Sequence, residues 1–517
     1  MQAAYSARAV RAAEGAHAAE LDSGELMARA AWALAMGVVD ELRLRGIALV
    51  GARVVLAVGG GNNGGDALHA GALLAARGLD VRAIMAATHC HAAGAAALIR
   101  RGGRIIPWSG NVERARAWLA AADVVVDGMV GIGGRPGSSG LSGAAAEIAQ
   151  ALADGSAAVV AVDVPSGIDA DAGGSAGVHV RADRTVTFAC LKPGLLLEPG
   201  RSASGVVQVA DIGIDDALVN AGPPACRVLD RADVLELWPR AQPDDHKYRR
   251  GVVGIAAGSS AYPGAAVLTV QAAARSGVGM VVLWDRGLPG LADACIAVRP
   301  DAVPVSAPPV EQPRVSAWAC GPGLTLADGD AVAAVLATDR PAVLDAGALA
   351  CLADRADLRA AVRARPAATV ITPHDGEARV LATACGWTPT GDRLADARRL
   401  ATDLGCIVLW KGPGTVVIDG TVFVSASDPV SDAVSDAVPW VDCHGGPELA
   451  CAGSGDVLTG LLGGLLAGLA ARDDGVVDPA RASVAAAWVH ADAGRRAAAV
   501  GGAVTALDLI SGLNVRD

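Results

Sequence analysis

The sequence predicts an α/β protein of two domains, each built on a parallel sheet with helices on both faces. Three observations carry this. Short β-branched runs (Val54–Val58, Val81–Met85, Val124–Asp127 and Val159–Val164) alternate with alanine-rich stretches of helical spacing, the signature of βαβ units. The chain has 517 residues, too many for one core. Hydrophobic content is 52% but aromatic content only 3%, so alanine and valine carry the apolar load, as helices packed closely on a parallel sheet require.

The strand–helix pattern weakens over Ala217–Arg227, where AlaGlyProProAla separates two ordered stretches. The boundary is placed near Pro224, giving domains 1–222 and 223–517. A second series then reads as strands at Gly251–Ala257, Ala317–Cys320, Ala342–Asp345, Thr369–Thr372 and Cys406–Lys411. Thr415–Ile418 and Thr421–Val424, joined by AspGly, read as a hairpin. Ser427–Val438 repeats SerAspProVal and SerAspAlaVal. Its four-residue period fits neither helix nor strand, so an exposed loop insertion without function is expected.

Net charge is −11, which argues against a nucleic-acid partner. Ten cysteines are scattered without a CxxC pair and read as small buried hydrophobes in a reducing compartment. ThrHisCysHis at Thr88–His91 and AspCysHis at Asp442–His444 place their ligand types on adjacent residues, which rarely converge on one tetrahedral ion, so zinc is not expected. No apolar segment follows the first arginines, so no signal peptide is read. The longest apolar run, Val457–Ala471, is too short to span a bilayer and rich in glycine, and reads as a buried helix. A soluble cytoplasmic protein with no membrane partner is expected.

The chemistry is concentrated in glycine-rich strand ends. GlyGlyGlyAsnAsnGlyGlyAsp at Gly59–Asp66 follows one strand and opens a helix. Glycines there let backbone N–H groups approach phosphate oxygens, with the helix terminus behind them. Asp66 taken alone reads as a helix cap. The pattern is not GxGxxG, and asparagine carbonyls can also ligate a hard cation. Asp127 ends a second strand before another glycine loop. Asp163 and Ser166, in AspValProSerGlyIleAsp, end a third. One strand-end aspartate is more often a turn or cap, but three consecutive polar strand ends read as one site.

These motifs resemble the YjeF amino-terminal domain, the NAD(P)HX epimerase family, from about Met1 to Ile214. The resemblance implies a Rossmann-like three-layer αβα domain. It implies substrate contacts at Asn62, Asn63, Gly64, Gly65 and Asp66, and at Gly131, Ile132, Gly133, Gly134, Arg135, Pro136 and Gly137. It implies Asp163 as the substrate-binding acid/base, and Asn63, Asp127 and Ser166 around a potassium ion. There are two departures. Ala67 stands where the family usually has glycine. The usual AlaLeuPheGlyThrGly after the strand aspartate is GlyMetValGlyIleGly here, so Ile132 removes a hydroxyl.

A second cluster, AlaGlySerGlyAspValLeuThrGly at Ala452–Gly460, opens an apolar helix. A carboxylate, Asp456, beside a backbone anion hole suits phosphoryl transfer to a hydroxyl, although a capping aspartate after a glycine turn is the simpler reading of GlySerGlyAsp alone. LysGlyProGlyThr at Lys411–Thr415, ThrProHisAspGlyGlu at Thr372–Glu377, AlaCysGlyProGlyLeu at Ala319–Leu324 and GlySerSerAlaTyrProGlyAla at Gly258–Ala265 end further strands. His374 alone reads as a surface histidine.

Together with HisLys at His246–Lys247, these resemble the YjeF carboxy-terminal domain over roughly Val228–Gly512, the ribokinase-like family of ADP-dependent NAD(P)HX dehydratases. The resemblance implies that Ala265, Gly323, His374 and Asp456 bind the hydrated nucleotide, with Asp456 catalytic. It implies that Lys411, Gly412, Pro413, Gly414, Thr415 and Gly455 bind the adenine nucleotide, with Mg2+ alongside. The expected protein is therefore bifunctional, acting on NADHX and NADPHX with ADP as co-substrate and K+ in its first domain, and forming a homo-oligomer. The alternative is a ribokinase-like kinase of a sugar or vitamin precursor fused to a non-catalytic binding domain. ThrProHisAspGlyGlu argues against a plain sugar kinase, and Asp163 against a non-catalytic first domain.

Overall fold

The computed structural model describes residues 1–133, 140–421, 437–472 and 478–514. The chain divides into two compact units, Ala3–Cys226 and Arg227–Asp517 joined by Met1–Gln2.

The first unit holds seven parallel strands in the order Arg104–Pro107, Asp80–Met85, Arg53–Val58, Val124–Gly128, Ala158–Val162, Arg184–Phe188 and Val206–Ala210. Successive residues of a strand face opposite ways, and the valines use both faces. Val54, Leu56, Val58, Val124, Val126, Val160 and Val162 join one core with the Glu25–Leu44 and Asn62–Ala76 helices. Val55, Ala57, Val125, Val159 and Ala161 join another with Trp118, Leu119 and Ile148. This is a three-layer αβα arrangement, and it explains why the strands read as unbroken apolar runs.

Around the candidate site of the second unit, the strand order is Trp440–Asp442, Thr415–Asp419, Ile407–Trp410, Thr369–Ile371, Ala342–Leu344, Ala317–Cys320, Val252–Ala256, Met280–Trp284 and Val303–Val305. Neighbours from Ile407–Trp410 onward are parallel. Thr415–Asp419 is antiparallel to both its neighbours. The hairpin therefore lies one element earlier than the sequence predicts: Ile407–Trp410 pairs with Thr415–Asp419 across Lys411–Gly414. Residues 422–424 of the expected partner lie outside the described residues, as does the repeat over 427–436.

The glycine-rich apolar run is a buried helix, Ser454–Ala470. Its glycines let it approach its neighbours closely. A Cβ at Gly460 would stand 2.2 Å from the Thr269 carbonyl, and one at Gly463 would stand 2.7 Å from the Ala319 Cβ on the sheet. That seats the helix against the Pro263–Arg275 helix and the strands, and fixes where Asp456 emerges. Among the described residues no helix is long and apolar enough to cross a membrane. Six of the ten cysteines are buried.

Candidate active sites

In the first unit the strand order reverses between Arg53–Val58 and Val124–Gly128, which are direct neighbours. Ligands of open α/β sheets bind beyond the carboxyl ends of such a pair, and both glycine stretches leave from these ends. The helix after Arg53–Val58 starts at Asn62, with Gly61 as its cap. Asn62, Asn63 and Gly64 are thus its first turn rather than a loop. The first ring-closing bond runs from the Gly65 N–H to the Gly61 carbonyl, 3.2 Å. The N–H groups before it have no acceptor within the helix, which leaves them open to an anion with the helix dipole behind them. Asp66 lies inside the helix and does not cap it.

The residues expected to surround a cation are brought together. Asp127 is fully buried. Its Oδ1 accepts from the Ser166 hydroxyl at 2.6 Å and its Oδ2 from the Ser166 N–H at 2.8 Å. Burial pushes the Asp127 carboxyl up to about 6 against these bonds and one from the Met129 N–H. Ser166 Oγ accepts from the Val130 N–H at 2.9 Å. Asn63 Nδ2 donates to the Val162 carbonyl at 2.8 Å, and a Cβ at Gly131 would stand 2.2 Å from Asn63 Oδ1. Amide, hydroxyl and carboxylate oxygens thus converge below the Gly131 loop.

Asp163 stands where the Ala158–Val162 strand stops, two residues earlier than the sequence suggests. The strand stops because Asp163 has φ +65°, a left-handed conformation rare for a side-chain-bearing residue. Its Oδ1 accepts from the Lys192 ammonium at 2.5 Å, the Thr187 hydroxyl at 3.1 Å and the Phe188 N–H at 3.2 Å. Oδ2 takes no hydrogen bond among the described residues. Lys192 has no exposed surface, and its other bonds go to Thr187 Oγ1 at 2.9 Å and the Phe188 carbonyl at 2.7 Å. Asp66 is also buried, and its carboxyl is held well above the usual range by burial, then by Asp163 and Glu14. Glu14 is raised by burial and by Asp163. It lies one turn beyond Arg11, whose guanidinium donates to the Ile132 carbonyl at 3.1 Å. Sequence reasoning missed Lys192, Glu14 and Arg11.

Of the expected substrate loop, Gly131, Ile132 and Gly133 are described, and Gly134, Arg135, Pro136 and Gly137 lie outside the described residues. The two family departures have structural counterparts. Ile132 packs its side chain against apolar clusters that include Val164 and Ile168. Ala67 is fully buried, and a Cβ built on Gly128 would stand 2.7 Å from the Ala67 Cβ. The methyl gained at Ala67 therefore occupies the space freed by Gly128, where the family motif has alanine. The two changes compensate each other.

In the second unit Asp456 lies in the first turn of the Ser454–Ala470 helix, and the helix has no side-chain cap. Asp456 is therefore not a capping aspartate, and no hydrogen bond to its carboxylate is found among the described residues. Gly453 has φ +85°, and the first bond of the helix runs from the Val457 N–H to the Gly453 carbonyl at 3.1 Å. The Gly455 and Asp456 N–H groups are left for an anion. Burial, then the Asp345 charge, pushes the Asp456 carboxyl up to about 6, while Lys411 opposes. Behind the loop, the buried His490 ring stands 3.2 Å from Ser454 Oγ. Burial pushes that imidazole down to about 4.

Gly323 has φ +69°, and a Cβ there would stand 2.7 Å from the Tyr262 carbonyl and 2.8 Å from the Ala265 Cβ. Ala265 and Gly323 thus meet where Val252–Ala256 and Ala317–Cys320 run side by side. His374 caps the Asp375–Ala384 helix. Its Nδ1 accepts from the Gly376 and Glu377 N–H groups at 3.0 and 3.2 Å, and Glu377 accepts from the His374 N–H at 2.9 Å. The Lys411–Thr415 turn is closed by Thr415 Oγ1 donating to the Gly412 carbonyl at 3.0 Å. Arg393 braces it, donating to the Lys411 carbonyl at 2.6 Å and to Asp375 at 2.8 Å. The Lys411 side chain leaves the turn for Asp345, with Nζ 2.6 Å from Oδ1. Asp345, Thr459 and His490 are further residues the sequence reading missed.

Two α/β units, each with a helix start open to an anion and a carboxylate at its rim, suit an enzyme with two active sites. Residues 253–514 match the family described as NAD(P)H-hydrate dehydratase, and residues 23–194 the family described as YjeF-related protein N-terminus. The chain is 40% identical over 468 residues to the bifunctional NAD(P)H-hydrate repair enzyme Nnr of Mycobacterium tuberculosis, covering 90% of this chain and 89% of that protein. It is 34% identical to its namesake from Moorella thermoacetica, covering 86% and 83%. Among solved structures, the ADP/ATP-dependent NAD(P)H-hydrate dehydratase of Bacillus subtilis, co-crystallised with ATP and Mg2+, is 25% identical and covers 55% of this chain and 95% of that one, with a TM-score of 0.41. A ribokinase-like superfamily protein of Enterococcus faecalis is 20% identical, covering 56% and 94%, with a TM-score of 0.44. The chain belongs to the family of bifunctional NAD(P)H-hydrate repair enzymes, which carry epimerase and dehydratase activities. The reading as a sugar or vitamin-precursor kinase with a non-catalytic partner domain falls with that.

Proposed function

We propose that the first unit interconverts the R and S hydrates of NADH and NADPH with Asp163 as the acid/base, and that the second unit dehydrates the S hydrate at the expense of ADP with Asp456 as the base. The single observation that carries this is the contrast between the two carboxylates. Asp163 has one oxygen clamped by three donors and the other unengaged. Asp456 is half-buried, unbonded and pushed up to about 6 beside open N–H groups.

In the first site, Asp163 Oδ2 takes the proton of the C6 hydroxyl. The C6–N1 bond of the ring breaks to leave an aldehyde, and the electron pair on N1 takes up a proton. Rotation and reclosure, with the proton returned to oxygen, give the other epimer. Lys192 keeps Asp163 in place through these steps, and the Asn62–Gly64 N–H groups hold a substrate phosphate. Asn63, Asp127 and Ser166 are proposed to hold K+. The donor types suit a hard cation, and Asp127 is a buried carboxylate with no cationic side chain bonded to it among the described residues. The ion would compensate that charge and stiffen the Gly131 loop.

In the second site, Asp456 takes the proton of the C6 hydroxyl as its oxygen attacks the terminal phosphorus of ADP, releasing AMP. The phosphate ester then leaves C6 as inorganic phosphate, and loss of the C5 proton restores the dihydronicotinamide. The Gly455 and Asp456 N–H groups stabilise the charge on the moving phosphoryl. Ala265, Gly323 and His374 are proposed to seat the hydrate, and Lys411–Thr415 with Gly455 the nucleotide. Among the described residues no group of three His, Cys, Asp or Glu side chains can hold a metal. Mg2+ would enter with the nucleotide phosphates, where such an ion usually keeps several waters.

The test is incubation of purified protein with mixed hydrates, with and without ADP, followed by chromatography. Interconversion without ADP and full conversion to NADH with it are expected. Consumption of the S form alone would remove the epimerase assignment.

A further inference from the structure

The Lys411 side chain turns away from its own loop and back over the sheet. From the turn after Ile407–Trp410 it runs to the carboxylate of Asp345, with Nζ 2.6 Å from Oδ1. Asp345 is 1% exposed and directly follows Ala342–Leu344, two strands over in the sheet with Thr369–Ile371 between. Its Oδ2 is held at 2.7 Å by the Thr459 hydroxyl, one turn along the helix from Asp456. Ala346, next in the chain, has φ +47°. A side-chain-bearing residue is kept in that region only where its surroundings impose it. Gly455, in the anion hole, faces the pair: a Cβ there would stand 3.3 Å from Lys411 Nζ and 3.4 Å from Asp345 Oδ2. The Lys411 side chain is 19% exposed, whereas Asp345 is closed off.

We propose that Asp345 is a positioning residue of the dehydratase site, which with Thr459 fixes the Lys411 ammonium against the Gly455 backbone, so that this ammonium contacts the phosphoryl group in transfer. The inference rests on the dehydratase reading above and adds to it a catalytic cation, Lys411, and the tether that aims it. The carboxylates facing Lys411 are Asp345, Glu377 at 4.0 Å and Asp456, which feels its charge. A lysine free to swing among them would be drawn from the phosphoryl. A lysine pinned by one carboxylate, itself pinned by Thr459, meets a transferring group at a fixed place, the condition for preorganised stabilisation. It also moderates Asp456: the Asp345 charge raises that carboxyl and Lys411 lowers it.

The test is steady-state kinetics on the full chain with ADP and the S hydrate, with ADP binding measured by calorimetry. Asp345→Asn is expected to lower kcat by about a hundredfold, the scale of losing one preorganised donor. Its ADP affinity should stay within about threefold, because only the transition-state contact is lost. The acid limb of its kcat/KM profile should move to lower pH, since a negative neighbour of Asp456 is gone. Thr459→Val, which loosens the tether and leaves the ion pair, should lower kcat by about tenfold with KM unchanged. If Asp345→Asn does not bind ADP, Thr459→Val decides alone: reduced kcat at unchanged KM supports the proposal, and unchanged kcat overturns it. A rise in KM for ADP with kcat preserved, or an unmoved acid limb, would make Lys411 a plain nucleotide anchor and overturn the proposal. A wild-type protein inert towards the S hydrate and ADP would instead remove the dehydratase reading, and this inference with it.

Discussion

The two carboxylates proposed as catalytic sit in opposite kinds of surroundings. Asp163 is 4% exposed, and one of its oxygens receives an ammonium, a hydroxyl and a backbone N–H. Asp456 has no hydrogen-bond donor among the described residues and is raised to about 6 by burial and by Asp345. The lysines differ in the same way: the Lys192 side chain is wholly buried, and that of Lys411 is 19% exposed. The difference matches the tasks. Epimerisation removes and returns a proton within one molecule, so a fixed carboxylate with one unengaged oxygen suffices. Phosphoryl transfer needs a base with raised proton affinity beside a cation that can meet a second substrate.

Removing the free carboxylate should have the largest effect. Asp456→Asn is expected to lower dehydration by about a thousandfold or more, within the range for a positioned general base, while the hydrates still interconvert. Chromatography of the products reads both activities at once. Near-normal NADH formation would mean that Asp456 is not the base.

Removing the clamp should cost stability as well as activity. Lys192→Met leaves Asp163 as a buried charge without its partner, which costs about 3–5 kcal/mol, and epimerisation should fall with it. Dehydration of the S hydrate should be retained. Thermal unfolding checks the first effect. A variant as stable as the parent would show that the ion pair is not what holds Asp163.

The compensating pair in the first unit predicts a rescue. Gly128→Ala alone drives a Cβ to 2.7 Å from the Ala67 Cβ and 2.9 Å from the Asn63 carbonyl, and should reduce epimerisation by about tenfold through displacement of Asn63. Adding Ala67→Gly should restore most of it, and equal activity of the single and double variants would break the argument.

The smallest effect is on pH dependence and stability. Dehydratase kcat/KM should fall by about tenfold per unit below the Asp456 value, because the base must be ionised. The folded form of Asp456 is raised from the ordinary 3.8 to about 6. The folded state therefore binds more protons than the unfolded one across that interval, and the group subtracts stability as pH rises through it. Asp456→Asn should consequently raise the thermal midpoint at pH 8, although it abolishes activity. A lowered midpoint would contradict the raised value.

The sequence made strand ends legible because apolar runs here stop at glycine. Asp127 and Asp163 could be found from AspGly and AspValProSerGly, and the structure brings Asp127, Ser166 and Asn63 together. Lys192 was not legible. It lies 29 residues beyond Asp163 in LysProGly, and nothing local announces that a lysine there is wholly buried. Asp345 read as the last residue of a strand, and nothing local marked His490, because both act through partners supplied by the fold. The hairpin was misplaced because Val416–Ile418 and Val422–Val424 are both apolar and AspGly lies between them, while the true turn is the LysGlyProGly that also carries Lys411. Asn62 and Asn63 read as loop because glycines surround them. The helix begins there nonetheless, because helix propensity is a weak prior that the packed helix behind these residues overrides.

The most direct test of the claim that each unit works with its own carboxylate is complementation. Asp163→Asn and Asp456→Asn proteins are supplied with the pure R hydrate and ADP, separately and mixed, and NADH is followed by absorbance. Neither variant alone should make NADH faster than spontaneous epimerisation allows, and the mixture should, because the S hydrate made by one protein diffuses to the other. NADH formed at the wild-type rate by either variant alone, or a mixture no faster than its parts, would contradict the account.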